Sequence, residues 1–122
     1  MKIKSAITSF VALTLLSTGI AFAAEEEQAG PSMTVKGEVI DMACYTDHGA
    51  TGAKHAACAK KCIESGLPVG LKADDGKTYL LIGDHKPLNK ELAQYAAKTI
   101  TVKGKVVSRD GVNMIENAEI AQ

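Results

Sequence analysis

A chain of 122 residues with 14 basic and 14 acidic side chains has no cationic surplus to draw in a polyanion, so no nucleic-acid partner is expected. It contains three cysteines, an odd number that cannot all pair within one chain, and only three Tyr, two Phe and no Trp from which to build a core. No catalytic triad, paired acid, phosphate loop or nucleotide fingerprint occurs, which points to a binding protein rather than an enzyme.

The chain begins MKIKSAITSFVALTLLSTGIAFAA, with Lys2 and Lys4, an apolar run from Ala6 to Ile20, and small residues at Ala21 and Ala23. That order is the one of a secretory signal peptide over residues 1–23 and predicts a periplasmic or secreted protein with no membrane span after its removal. Lys2, Lys4, Phe10 and Phe22 leave with it. The remaining stretch, about 99 residues, carries 12 basic against 14 acidic side chains, a net charge of about −2, and is one small domain. Such a domain gains from a metal or disulfide staple.

Residues 24–32, AEEEQAGPS, are acidic and small and end in Gly30-Pro31, the composition of a solvated tether. The folded domain is expected over 33–122. In MTVKGEVIDMA, Met33, Val35, Gly37 and Val39 alternate with Thr34, Lys36 and Glu38, the period of a half-buried strand, and Gly37 predicts a bulge or bend. LPVGLKA and KTYLLIG are short apolar runs joined by an Asp75-Gly76 hairpin turn, with Pro68 suited to a strand start. In HKPLNKELAQYAAK the period changes: Leu88, Leu92 and Tyr95 share a helical face, and Asn89 is the expected N-cap. TITVKGKVVS and VNMIENAEI flank Arg109-Asp110-Gly111 as a second hairpin, and TVKGKV at 101–106 echoes TVKGEV at 34–39.

This order predicts a mainly β domain with two short helices: a five-stranded antiparallel OB-fold-like barrel with a helical Cys/His insertion, residues 44–66, between strands 1 and 2. An irregular five-stranded roll with the same hairpins is the alternative.

The insertion holds all three cysteines and two of the three histidines. His55, Cys58 and Cys62, at i, i+3 and i+7, fall within an arc of about 60° on a helix, with Lys54, Lys60 and Lys61 facing away. Ala56, Ala57, Ala59 and Glu64 favour that helix, and Gly66 is placed for a left-handed terminus. Cys44 is expected at the end of the first strand, with His48 four residues later.

A disulfide from Cys44 to Cys58 or Cys62 closes a loop of 14 or 18 residues, contributes about 3 kcal/mol and leaves one thiol over. A metal site leaves none: Cys44, Cys58 and Cys62 with His48 or His55 form a Cys3His set suited to Zn²⁺, and thiolates also favour Cu(I). Neither C-x-x-C-H nor a fourth cysteine is present for a c-type haem or a four-cysteine iron–sulfur cluster. Asp41 and Asp47 flank Cys44 as outer acceptors for a ligand histidine or as solvated loop carboxylates. His85 reads as a surface turn residue.

TVKGEVIDMACYTDH, HAACAKKC, GLPVGL with GKTYLLIGD, and TVKGKVVS together resemble a group of small exported bacterial proteins of unknown function. Their signature is G-x-V-x-D-x-x-C-x3-H followed by a C-x3-C helix and OB-like strands. The resemblance covers nearly the whole domain and matches Gly37, Val39, Asp41, Cys44, His48, Cys58 and Cys62. It implies His48, rather than His55, as the nitrogen ligand, and carries no activity with it.

Three functions are therefore open: a metal-binding protein, structural or metal-handling, with zinc ahead of copper; a thiol redox protein in which Cys58 or Cys62 reacts and Cys44 resolves; and an OB-fold ligand binder. No protein partner is named by the sequence.

Overall fold

The structure, a computed structural model, describes residues 30–121. The expected signal peptide at 1–23 and the expected tether up to Ala29 lie outside the described residues. Five strands, β1 (Ser32–Asp41), β2 (Val69–Ala73), β3 (Thr78–Leu81), β4 (Thr99–Arg109) and β5 (Val112–Ala121), close into a barrel in the order β1-β2-β3-β5-β4. Helices α1 (Met42–His48) and α2 (Ala56–Glu64) follow β1, and α3 (Asn89–Leu92) lies between β3 and β4. Single 3-10 turns, Ala53–His55 and Ala93–Tyr95, lead into α2 and out of α3.

The strands form where alternation and turn chemistry demanded them. Asp75-Gly76 and Asp110-Gly111 close the two hairpins, with positive φ at Gly76, Asp110 and Gly111. Asp75 adds a bond to the Lys77 amide at 2.8 Å and accepts the Tyr79 hydroxyl at 2.7 Å. Pro68 directly precedes β2, whose first residue is Val69.

One pairing departs from the antiparallel expectation. β3 and β5 are parallel, through Leu80↔Met114 and Leu81↔Ile115. A closed ring of five strands cannot alternate direction throughout, so one parallel seam is required. It falls here because the segment carrying α3 takes the chain from β3 to the far side of β1, where β4 runs antiparallel to β1.

β1 is the strand that bends. Its first half pairs with β4 and its second half with β2, and Gly37 and Glu38 pair with both. A Cβ at Gly37 would strike the Lys72 carbonyl and lie 2.7 Å from the Ala73 Cα. The register at Gly37 is nonetheless unbroken; the irregularity between Lys103 and Lys105 sits at Gly104, the matching glycine of the second TVKG.

The core joins Val35, Val39, Leu71, Leu81, Val102 and Ile115 of the strands to Ala59 and Ile63 of α2 and Leu88, Leu92, Ala93 and Ala96 around α3. α2 packs against α3, the turn that follows it, and β1. The helical segments thus seat on the barrel where β1 ends and β2 begins. Among the described residues no helix is long and apolar enough to cross a membrane.

Among the described residues the helices number three rather than two. Asn89 is the first residue of α3, with Leu88 in the cap position, and not its N-cap. Its side-chain amide instead donates to the carbonyls of Ile63 at 2.8 Å and Leu67 at 2.7 Å. That bond ties α3 to the end of α2, where peptide carbonyls have no helical partner.

Candidate metal site

The site begins at Asp41. This last residue of β1 has extended backbone, φ −77° and ψ 118°, and its carboxylate accepts the amides of Ala43 at 3.0 Å and Cys44 at 3.2 Å. It is the N-cap of α1. The expectation that Cys44 stands at a strand end is corrected here: the cap turns the chain into a helix at Met42, and Cys44 lies in its first turn. α1 ends at His48, with Gly49 left-handed at φ 70° and its amide bonded to the Tyr45 carbonyl at 2.8 Å.

The chain then reverses. The Gly52 amide donates to Glu38 on β1 at 2.6 Å, and the Ala53–His55 turn brings His55 to the start of α2. Within α2, Ala59 and Ile63 enter the core, while Cys58 and Cys62 stand one turn apart outside it. The helix terminates as the glycine predicts: Gly66 has φ 98°, Leu67 donates to the Cys62 carbonyl at 3.1 Å, and Gly66 donates to the Ile63 carbonyl at 3.0 Å. Lys54, Lys60 and Lys61 are exposed.

Two groups of donor atoms result, sharing Cys44. Cys44, His55 and Cys58 have their ligand atoms within 4.8 Å of one another, and so do Asp41, Cys44 and Cys62. His55 Nε2 lies 3.9 Å from Asp41 Oδ2. The three thiols are free, with no sulfur pair at bonding distance. Exposure grades across the site: Asp41 is buried, Cys44, His55 and Cys62 are half-buried, and Cys58 faces solvent.

His48 does not join either group. Its ring meets that of His55 edge-on at 6.3 Å, but its Nδ1 pairs with Asp47 at 3.1 Å, and both of those side chains are exposed. The two histidines are thus neighbours, and His55 is the one turned toward the thiols. His85 sits in an exposed turn between Asp84 and Glu116, each 3.4 Å from its Nδ1.

The electrostatics follow from the carboxylate. Burial pushes Asp41 upward, yet the Cys44 thiol, the amides of Cys44 and Ala43, and His55 outweigh it and hold the carboxyl below its ordinary value. The Cys44 thiol is pushed up to about 12, first by its hydrogen bond to Asp41, then by burial and by the charges of Asp41 and Cys62. Burial, then the Asp41 charge and Cys58, raise Cys62 as well. Without a cation the thiols of Cys44 and Cys62 keep their protons.

His55 Nε2 supplies the test of fit. It is buried and has no hydrogen-bond partner. An unpaired buried nitrogen costs about 1–3 kcal/mol unless something satisfies it. With thiols and a carboxylate around it, that donor set could hold a metal ion.

Asp41 is the residue that sequence reasoning undervalued. Of its two readings, the solvated carboxylate holds for Asp47, whereas Asp41 is 1% exposed. The signal was present: Val35, Gly37, Val39 and Asp41 continue one phase of the strand, and all four are buried. Comparisons with protein-family models, curated proteins and solved structures found no match for this chain.

Proposed function

We propose that this is a periplasmic or secreted metal-binding protein with an OB-type barrel, and that Cys44, His55, Cys58 and Cys62 hold one Zn²⁺. The barrel order, with its single parallel seam between β3 and β5, supports the OB reading. The observation that carries the metal reading is the buried, partnerless Nε2 of His55 beside the free thiols of Cys44 and Cys58, with Cys62 grouped on the same Cys44. Three thiolates and an imidazole give a tetrahedral donor set, with Asp41 as the outer carboxylate that fixes Cys44 through its amide. Cu(I) is the competing occupant on grounds of softness.

A thiol redox role has weaker support, because reactive thiols are activated by lowered pKa, whereas burial and the Asp41 charge raise Cys62, one of the two reacting thiols of that reading. Metal analysis on anaerobically purified protein, paired with a thiol count, decides between the two. One zinc per chain with three free thiols is expected, strongly reduced by His55→Ala and retained by His48→Ala. Metal-free protein carrying a disulfide from Cys44 would sink the proposal.

A further inference from the structure

We propose that the protein is a metal carrier rather than a domain stapled by its metal, and that it passes the ion on by ligand exchange at Cys58. The inference rests on the metal reading above and adds a direction of transfer to it.

Its first support is that metal-independent forces already place the donors. α2 is anchored by Ile63, fully buried, and Ala59, 2% exposed, in a core shared with a closed barrel. Asn89 holds the far end of α2, the Asp41 cap starts α1, and the Glu38 bond to Gly52 fastens the segment between them. Small domains that need zinc to fold lack such a core, and their metal-binding energy is folding energy. Here the barrel, α2 and α3 close over one another with the site on their outer side.

The second support is the gradient of exposure. Cys58 is the exposed cysteine, whereas Cys44, Cys62 and His55 are half-buried. An incoming ligand therefore reaches the ion on the Cys58 side. An acceptor thiol would give up its proton and bind the ion as a thiolate, the bond to Cys58 would break, and the Cys58 thiolate would take up that proton. Cys44, Cys62 and His55 hold the ion until a second acceptor thiolate repeats the exchange. No electrons are transferred, and the metal keeps its oxidation state. The acceptor class is a peptide or protein presenting at least two thiolates.

The test uses zinc-loaded protein and 2,3-dimercaptosuccinate as the dithiol probe, with the zinc left on the protein measured in rapidly desalted aliquots. The expected release rate rises in proportion to dithiol concentration over a tenfold range. Cys58→Ala, which opens the exposed position, is expected to speed transfer about tenfold, and Cys62→Ala much less. The metal-free protein is expected to keep its β-sheet circular dichroism and a cooperative melt. Release that ignores dithiol concentration, equal acceleration by both variants, or a metal-free protein with no melting transition would each overturn the carrier inference while stoichiometric zinc leaves the metal reading standing. A protein that takes up no zinc at all overturns both.

Discussion

Replacing Asp41 by Ala removes a carboxylate whose two oxygens receive the amides of Ala43 and Cys44 at 3.0 and 3.2 Å. Loss of an N-cap costs about 0.5–2 kcal/mol, and hydrogen bonds to a charged acceptor stand near the top of such ranges. With the site already half-buried, about 2 kcal/mol is expected for the metal-free protein at pH 7. Asp41→Asn keeps one capping oxygen but loses the charge and the second acceptor, setting an NH2 against one of the two amides, so it should recover only part of that cost. The pH dependence has a definite sign. Because the folded carboxyl lies below its ordinary value of 3.8, its contribution is full above that value and is lost as pH falls through the lower folded one. Urea unfolding of the wild type and both variants, in chelator, from pH 7 down to pH 2.5, is the assay. The wild-type advantage over Asp41→Asn should shrink across the acidic end. An Asp41→Ala cost below about 0.5 kcal/mol, or an advantage over Asn that stays constant with pH, would refute the reasoning.

Ile63→Ala should destabilise the metal-free protein by about 2–5 kcal/mol in urea unfolding, since Ile63 is fully buried at the joint of α2 and the barrel. Tyr79→Phe removes the bond to Asp75 and should cost about 1 kcal/mol at pH 7. Burial and Asp75 raise the Tyr79 phenol from 10.0 to about 12, so that contribution is complete below pH 10.0 and fades as pH rises toward 12; the gap between wild type and Tyr79→Phe should narrow over that window. Zinc binding should release a proton from each of Cys44 and Cys62, whose thiols are held above 9.0 in the metal-free site. Calorimetry in buffers of differing ionisation enthalpy measures this, and uptake without proton release would contradict thiolate ligation.

Much of the barrel was legible because strands and hairpins are written locally. Alternation gave β1, and Asp75-Gly76 and Asp110-Gly111 marked turns that need positive φ. The α2 segment was legible for the same reason, from its alanines to Gly66. What was not legible depended on distant partners. Asn89 has the look of a cap residue, but carbonyls 22 and 26 positions away claim its side chain. α1, only seven residues long, lies below the length at which a helix holds itself, and it exists because Asp41 caps it on the edge of a barrel. The parallel seam followed from closure of five strands, a property of the whole ring that no single segment displays.

The choice between His48 and His55 shows the same limit in the site itself. In linear spacing His48 stands as close to Cys44 as a helical turn allows, and either histidine completes a Cys3His set. The two are placed differently by the reversal from Gly49 to Gly52, fastened to β1 through Glu38, which leaves His48 at an exposed helix end and folds His55 back to within 3.9 Å of Asp41. Asp41 is what makes this placement matter. It continues the inward phase of β1, so the strand that builds the core also carries a carboxylate to its end. There that carboxylate caps the helix bearing Cys44 and faces the imidazole of His55. The barrel thereby brings one thiol and one imidazole to the neighbourhood of a single residue. Under the proposed function, a site specified in this way would be formed before an ion arrives, which is the condition for exchanging the ion without unfolding the protein.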